Sequence, residues 1–173
     1  GETVQSDSVA YGTAIVALEE PTKEGYTFSG WGEVPETMPA EDVTISGNFT
    51  INKYLVTFVI DGEVIVSDSL EYGALIVAPV APEKEGHTFN GWGEVAETVP
   101  AEDVTYYGSY SVNSYLLTYV VDGETVQSDS VAYGSTIVVL EEPAKEGYTF
   151  SGWSEIPETM PAEDVTISGT FIV

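Results

Sequence analysis

Residues 52–63 read NKYLVTFVIDGE, and the reading of this stretch decides the fold. Tyr54, Val56, Phe58 and Ile60 alternate with Leu55, Thr57 and Val59. Both sets are rich in β-branched and aromatic side chains, which predicts a strand covered on at least one face. Asp61-Gly62 follows, and then a second strand-like run, EVIVSDSL. A two-residue Asp-Gly link needs both residues to tolerate positive φ, which makes it one of the strongest short hairpin signals. The stretch therefore predicts a hairpin whose first arm is a central or well-packed strand.

This hairpin recurs as NSYLLTYVVDGE at residues 113–124. Its second arm and turn occur three times, as GETVQSDSVAYG, GEVIVSDSLEYG and GETVQSDSVAYG, starting at Gly1, Gly62 and Gly123 with a gap-free period of 61. Later markers hold the same register: EGYTFSGW from Glu24, EGHTFNGW from Glu85 and EGYTFSGW from Glu146, then PAEDVT from Pro39, Pro100 and Pro161. A fixed period of this length marks a tandem array of small units. The 173 residues fall ten short of three periods, and the ten are the copy of NKYLVTFVID that would stand before Gly1.

The expected domains are a truncated first repeat, residues 1–51, lacking its first strand, and two complete repeats, 52–112 and 113–173. The other phasing, with whole units at 1–61 and 62–122, leaves the third unit without a last strand. The tight Asp-Gly turn, which ties its two arms locally, favours the first phasing. A chain that begins inside a repeat is expected to be cut from a longer array. An unpaired neighbour of a missing central strand is also a template for another chain. Residues 1–51 differ from 123–173 at only nine positions, so a borrowed strand would fit, and the expectation is that residues 1–51 either fold poorly alone or are completed by self-association through the incomplete first repeat.

Beyond the hairpin, AYGTAIVALEEPTKEG and its equivalents are too punctuated by Pro and Gly for a useful helix. YTFSGW begins a strand, and VTISGNF, VTYYGSY and VTISGTF close each unit as another. ETMPAEDV places Pro before Ala, Glu and Asp, which predicts one short helical or 3₁₀ turn. Each unit is thus mainly β, marginally α+β, with about four strands plus that turn. Two or three residues join one unit to the next, so flexing at the joints is limited.

Four Lys and Arg stand against 29 Asp and Glu, a formal charge of −25. A field of that sign repels phosphate, which argues against nucleic acid and anionic membrane surfaces as partners. The absence of cysteine removes disulfides, thiolate metal sites and cysteine nucleophiles. No apolar run is long enough to span a bilayer, so direct membrane insertion is not expected.

The order YLVTFVIDGE, EYG, PEKEGHTFNGW and a closing strand resembles the Listeria–Bacteroides repeat, the internalin B-repeat family of bacterial surface proteins. The resemblance covers essentially the whole chain. It implies small β-grasp-like modules strung in tandem at the bacterial cell surface, in an extracellular stalk or adhesion segment, and it supplies no catalytic residues. The family's closing strand is usually of a Leu-Tyr-Ala-x-Trp type, whereas this chain has TISGTF.

Trp31, Trp92 and Trp153 are the candidate ligand-binding residues, each three positions after a Phe and directly after a Gly. Exposed, they would stack on a glycan or a protein partner; the competing reading makes them the chief core residues of a small module. The pairs Glu41-Asp42, Glu102-Asp103 and Glu163-Asp164 offer oxygens to calcium, yet they lack an EF-hand or nonapeptide spacing. A solvated acidic face and no cofactor are expected. His87 is replaced by Tyr26 and Tyr148 in the other copies, so no repeated His-based catalytic site is available. Lys23, Lys84 and Lys145, between Pro-x and Glu-Gly, read as exposed turn residues, not as buried isopeptide donors. The expectation is a non-enzymatic spacer, with recognition of glycan or protein as the alternative.

Overall fold

The computed structural model describes residues 2–173 and is built from strands, with no helix among the described residues. Gly1, the first residue of the first repeat, lies outside them. The chain divides into two compact units, Gly1–Val59 with Val64–Ala78 and Glu94–Tyr106, and Ile60–Glu63 with Pro79–Gly93 and Tyr107–Val173.

The first repeat holds β1 (Tyr26–Trp31) and β2 (Gly47–Ile51), paired antiparallel with Phe28 opposite Phe49. The second holds β3 (Lys53–Ile60), β4 (Glu63–Glu71), β5 (His87–Phe89), β6 (Val104–Gly108) and β7 (Tyr110–Val112). The third repeats that order as β8 (Ser114–Val121), β9 (Glu124–Ala132), β10 (Thr149–Phe150), β11 (Val165–Gly169) and β12 (Phe171–Ile172).

Each complete repeat makes a three-stranded sheet, β4-β3-β6 or β9-β8-β11, and a two-stranded one, β5-β7 or β10-β12. The predicted first arm is the central strand in both. In the third repeat β9 runs antiparallel to β8, while β11 runs parallel to it, from Val165 opposite Leu117 to Gly169 opposite Val121. The hairpin turns are as the sequence predicts: Asp61 and Asp122 have φ of 51° and 54°, and Gly62 and Gly123 have 85° and 89°. Only Asp, Asn and Gly enter that region readily, so the dipeptide sets the turn.

The core follows the alternation of the central strand. Leu117, Tyr119 and Val121 are buried while Leu116 is 49% exposed, and Val56, Phe58 and Ile60 are buried in the second repeat. Ile137, Met160 and Ile167 close over Leu117 and Tyr119, with Trp153, Val131 and Leu140 around them.

The helical turn expected at ETMPAEDV is absent from all three copies. Its first residues are tied to the segment after the hairpin, a strap that begins at Tyr133 in the third repeat: Met160 N–H donates to Ser135 and Gly134 N–H to Met160, both at 2.9 Å, and Thr159 bridges Thr136, while Ala162 and Glu163 form only a bend. Equivalent bonds tie Val99 to Ala74 and Met38 to Thr13. Donors already committed to a neighbouring segment cannot turn back on their own chain, and the following acidic residue takes another task. Asp164 Oδ1 accepts the Leu116 N–H at 2.8 Å, and Asp103 Oδ1 accepts that of Leu55 at 2.7 Å.

In the first repeat, residues 2–10 carry no strand and are exposed throughout, where residues 63–71 and 124–132 form β4 and β9. Residues 43–46 carry none either, where their equivalents belong to β6 and β11. Both segments are those that pair with the central strand in the other repeats. Ile45 and Met38 are half-buried accordingly, whereas Ile167 and Met160 are 0% and 1% exposed.

Candidate functional site

The three tryptophans share one geometry. The glycine before each has positive φ, 97° at Gly30, 100° at Gly91 and 87° at Gly152. In the first repeat the β1–β2 register shifts between Phe28 and Trp31, which redirects the indole. Each ring then meets its Phe edge-to-face, with centroids 5.1, 5.2 and 4.9 Å apart. Each indole N–H donates to a backbone carbonyl of the strap, Leu18, Pro79 or Leu140, at 2.9, 2.8 and 3.0 Å. Trp92 is 8% exposed; Trp31 and Trp153 are half-buried. The indole donors are thus engaged within the repeat, fastening the strap over the second sheet.

Lys84 Nζ lies 2.8 Å from Asp61 Oδ2, and the Lys145 and Lys23 ammonium groups stand 4.4 and 3.9 Å from the Tyr148 and Tyr26 ring centroids. These are partly exposed cation–π and ion-pair contacts. The acidic pairs do not converge: among the described residues, no three Asp, Glu or His side chains come together as metal ligands.

The most specific arrangement was not singled out by the sequence. It joins one repeat to the next and is built twice. Asn52, which opens the second repeat, donates its N–H to Gly25 O at 2.9 Å and accepts the Tyr72 N–H at 2.9 Å. Its side-chain Oδ1 accepts from Thr27 Oγ1 at 2.6 Å. Asn113 does the same with Gly86 O at 2.8 Å, Tyr133 N–H at 2.9 Å and Thr88 Oγ1 at 2.6 Å.

The tyrosine of each pair lies on the glycine. A Cβ on Gly25 would stand 2.1 Å from Tyr72 Cγ, and one on Gly86 would stand 2.1 Å from Tyr133 Cγ. Both glycines also have positive φ, 74° and 66°, so conformation and space each demand glycine. The tyrosines meet the next ring edge-to-face, Tyr72 on Tyr26 at 6.1 Å and Tyr133 on His87 at 5.8 Å. His87 is therefore a wall of this clasp. The signal was available in the fixed spacing of Glu-Gly, Asn and Tyr-Gly in successive repeats, but nothing in one dimension says that they meet.

The Listeria-Bacteroides repeat domain model matches residues 1–51, 54–109 and 115–168. The chain belongs to this repeat family. It is 40% identical over 114 residues to Internalin H of Listeria monocytogenes, a match covering 54% of this chain and 20% of that protein. It is 37% identical over 159 residues to a "Putative membrane protein" of Evansella cellulosilytica, covering 79% of this chain and 24% of that protein. The chain thus spans about a quarter or less of the length of these relatives. A solved structure, that of Mub-RV, covers 71% of this chain at 15% identity with a TM-score of 0.23, too low to establish a shared fold.

Proposed function

We propose that this chain is a non-enzymatic spacer segment of a bacterial cell-surface protein, whose repeats hold apart the parts they connect. The observation that carries the reading is the twice-built clasp of Asn, Gly and Tyr. The most closely specified side chains in the repeat fix its neighbour. A joint with backbone hydrogen bonds on both sides of one asparagine and a ring on a glycine has few ways to bend. The like charge of successive repeats favours separation in the same direction. Membership in the repeat family and the likeness to Internalin H support placement at the cell surface.

The cysteine-free chain makes the test direct. Glu33, Glu94 and Glu155 are exposed and lie at equivalent positions, so cysteines introduced there pairwise take spin labels. Pulsed electron–electron distance measurements should give narrow distributions, with the Glu33→Cys/Glu155→Cys separation well beyond that of Glu33→Cys/Glu94→Cys. A 33/155 separation no longer than 33/94 means that the repeats fold back, and the spacer reading fails.

A further inference from the structure

We propose that the surface around Gly147 is a docking site for one further repeat, which it would receive through an opening asparagine and a tyrosine turn. The occupant is a repeat of this same family, recognised by the chemistry that Asn52-Tyr72 and Asn113-Tyr133 present. The inference deepens the spacer reading, since it concerns how such an array is extended.

The site is assembled in the same geometry as the two filled ones. Gly147 has φ 80°, against 74° and 66° at Gly25 and Gly86. The turn that presents it is closed by Tyr148 N–H on Lys145 O at 3.1 Å, as His87 closes on Lys84 at 3.1 Å and Tyr26 on Lys23 at 3.0 Å. Tyr148 meets Phe171 edge-to-face at 6.4 Å, as Tyr26 meets Phe49 at 6.5 Å and His87 meets Tyr110 at 6.4 Å. Lys145 stands over both Tyr148 and Phe171, as Lys23 stands over Tyr26 and Phe49. Thr149 occupies the position from which Thr27 and Thr88 donate to asparagine.

What differs is the cover. Gly25 and Gly86 are buried under tyrosine rings, whereas Gly147 is exposed, and no atom beyond its own chain neighbours lies within 4 Å of where its Cβ would stand. Tyr148 is 45% exposed. The surface beside it is an open depression lined by Lys145, Tyr148, Thr149 and Phe150.

The tyrosine turn of the complementary half is also preformed. The turn bearing Tyr11 keeps the backbone bonds of its equivalents, Gly12 N–H to Met38 O at 2.9 Å and Thr13 N–H to Ala10 O at 3.1 Å. It does so although Tyr11 itself is 79% exposed and covers no glycine. Socket and turn are each set before they meet, so little ordering is required on docking.

The test compares one substitution at two equivalent glycines in two chains. Ala at Gly86 or Gly147 carries the same positive-φ penalty, so the difference between them isolates the clash with a tyrosine ring. In the 173-residue chain, Gly86→Ala should lower the urea midpoint far more than Gly147→Ala, with a gap of about tenfold or more in the folding equilibrium constant. In a chain extended by a second copy of residues 113–173 after Val173, Gly147→Ala should become as damaging as Gly86→Ala. If Gly147→Ala stays mild in the extended chain, or if Gly86→Ala is no worse than Gly147→Ala in the original, the docking site is overturned. Either result leaves the spin-label separations, and so the spacer reading, to be judged separately.

Discussion

At the scale of single residues, glycines without special backbone angles show how tightly the repeat is filled. Gly47, Gly108 and Gly169 lie where the closing strand passes under the Phe of the aromatic motif. A Cβ on Gly169 would stand 2.2 Å from Phe150 Cζ and one on Gly108 would stand 2.6 Å from Phe89 Cε2. Gly169→Ala must therefore displace an aromatic ring packed at 4.9 Å on Trp153. The expected cost is about 1–3 kcal/mol, read as a lowered urea midpoint followed by tryptophan fluorescence. The Asp-Gly turns were legible in the sequence because their φ demand is local. The demand on Gly169 was not, because it comes from a ring nineteen positions earlier in the chain.

At the scale of elements, the central strand organises everything beside it. Where β8 is present, residues 124–132 and 165–169 are strands on its two sides; residues 2–10 and 43–46, which correspond to 124–132 and 165–168, form none. Hydrogen exchange should separate these directly. Amides of residues 115–121 should be the slowest in their repeat, while residues 2–10 should exchange at nearly unprotected rates. Slow exchange across residues 2–10 would mean that another chain supplies a strand. The strands themselves were readable from alternation and turn chemistry. The helical turn at ETMPAEDV was misread because Pro, Ala, Glu and Asp carry the composition of a helix start. The Met160 N–H just before them goes instead to a segment more than twenty residues away, and Asp164 serves a backbone N–H of β8.

At the scale of the whole molecule, charge and periodicity act together. Twenty-nine acidic side chains are offset by only four cations, which leaves the formal charge of −25. Self-repulsion of this kind opposes compactness and weakens as salt shortens the Debye length to about 3 Å at 1 M. The urea midpoint should therefore rise between low salt and 0.5 M sodium chloride, with no requirement for a divalent ion. A gain seen with calcium and not with sodium chloride of equal ionic strength would instead assign a specific metal role to the acidic pairs. The repeat period and the family were legible from end to end of the sequence. The clasp was not, because its asparagine, glycine and tyrosine come from two different repeats and only the folded chain brings them together.

The parallel pairing of β8 with β11 has a mechanical consequence. A repeat pulled by its two ends is gripped at the start of β8 and just beyond β11, so the two strands are drawn in opposite directions along their common axis. The rungs from Val165–Leu117 to Gly169–Val121 are then loaded in shear and must give way together. An antiparallel hairpin pulled open at its free ends would lose them one at a time. Tension along the chain is thus resisted by the whole ladder at once, while the hairpin arm β9 lies outside the line of force.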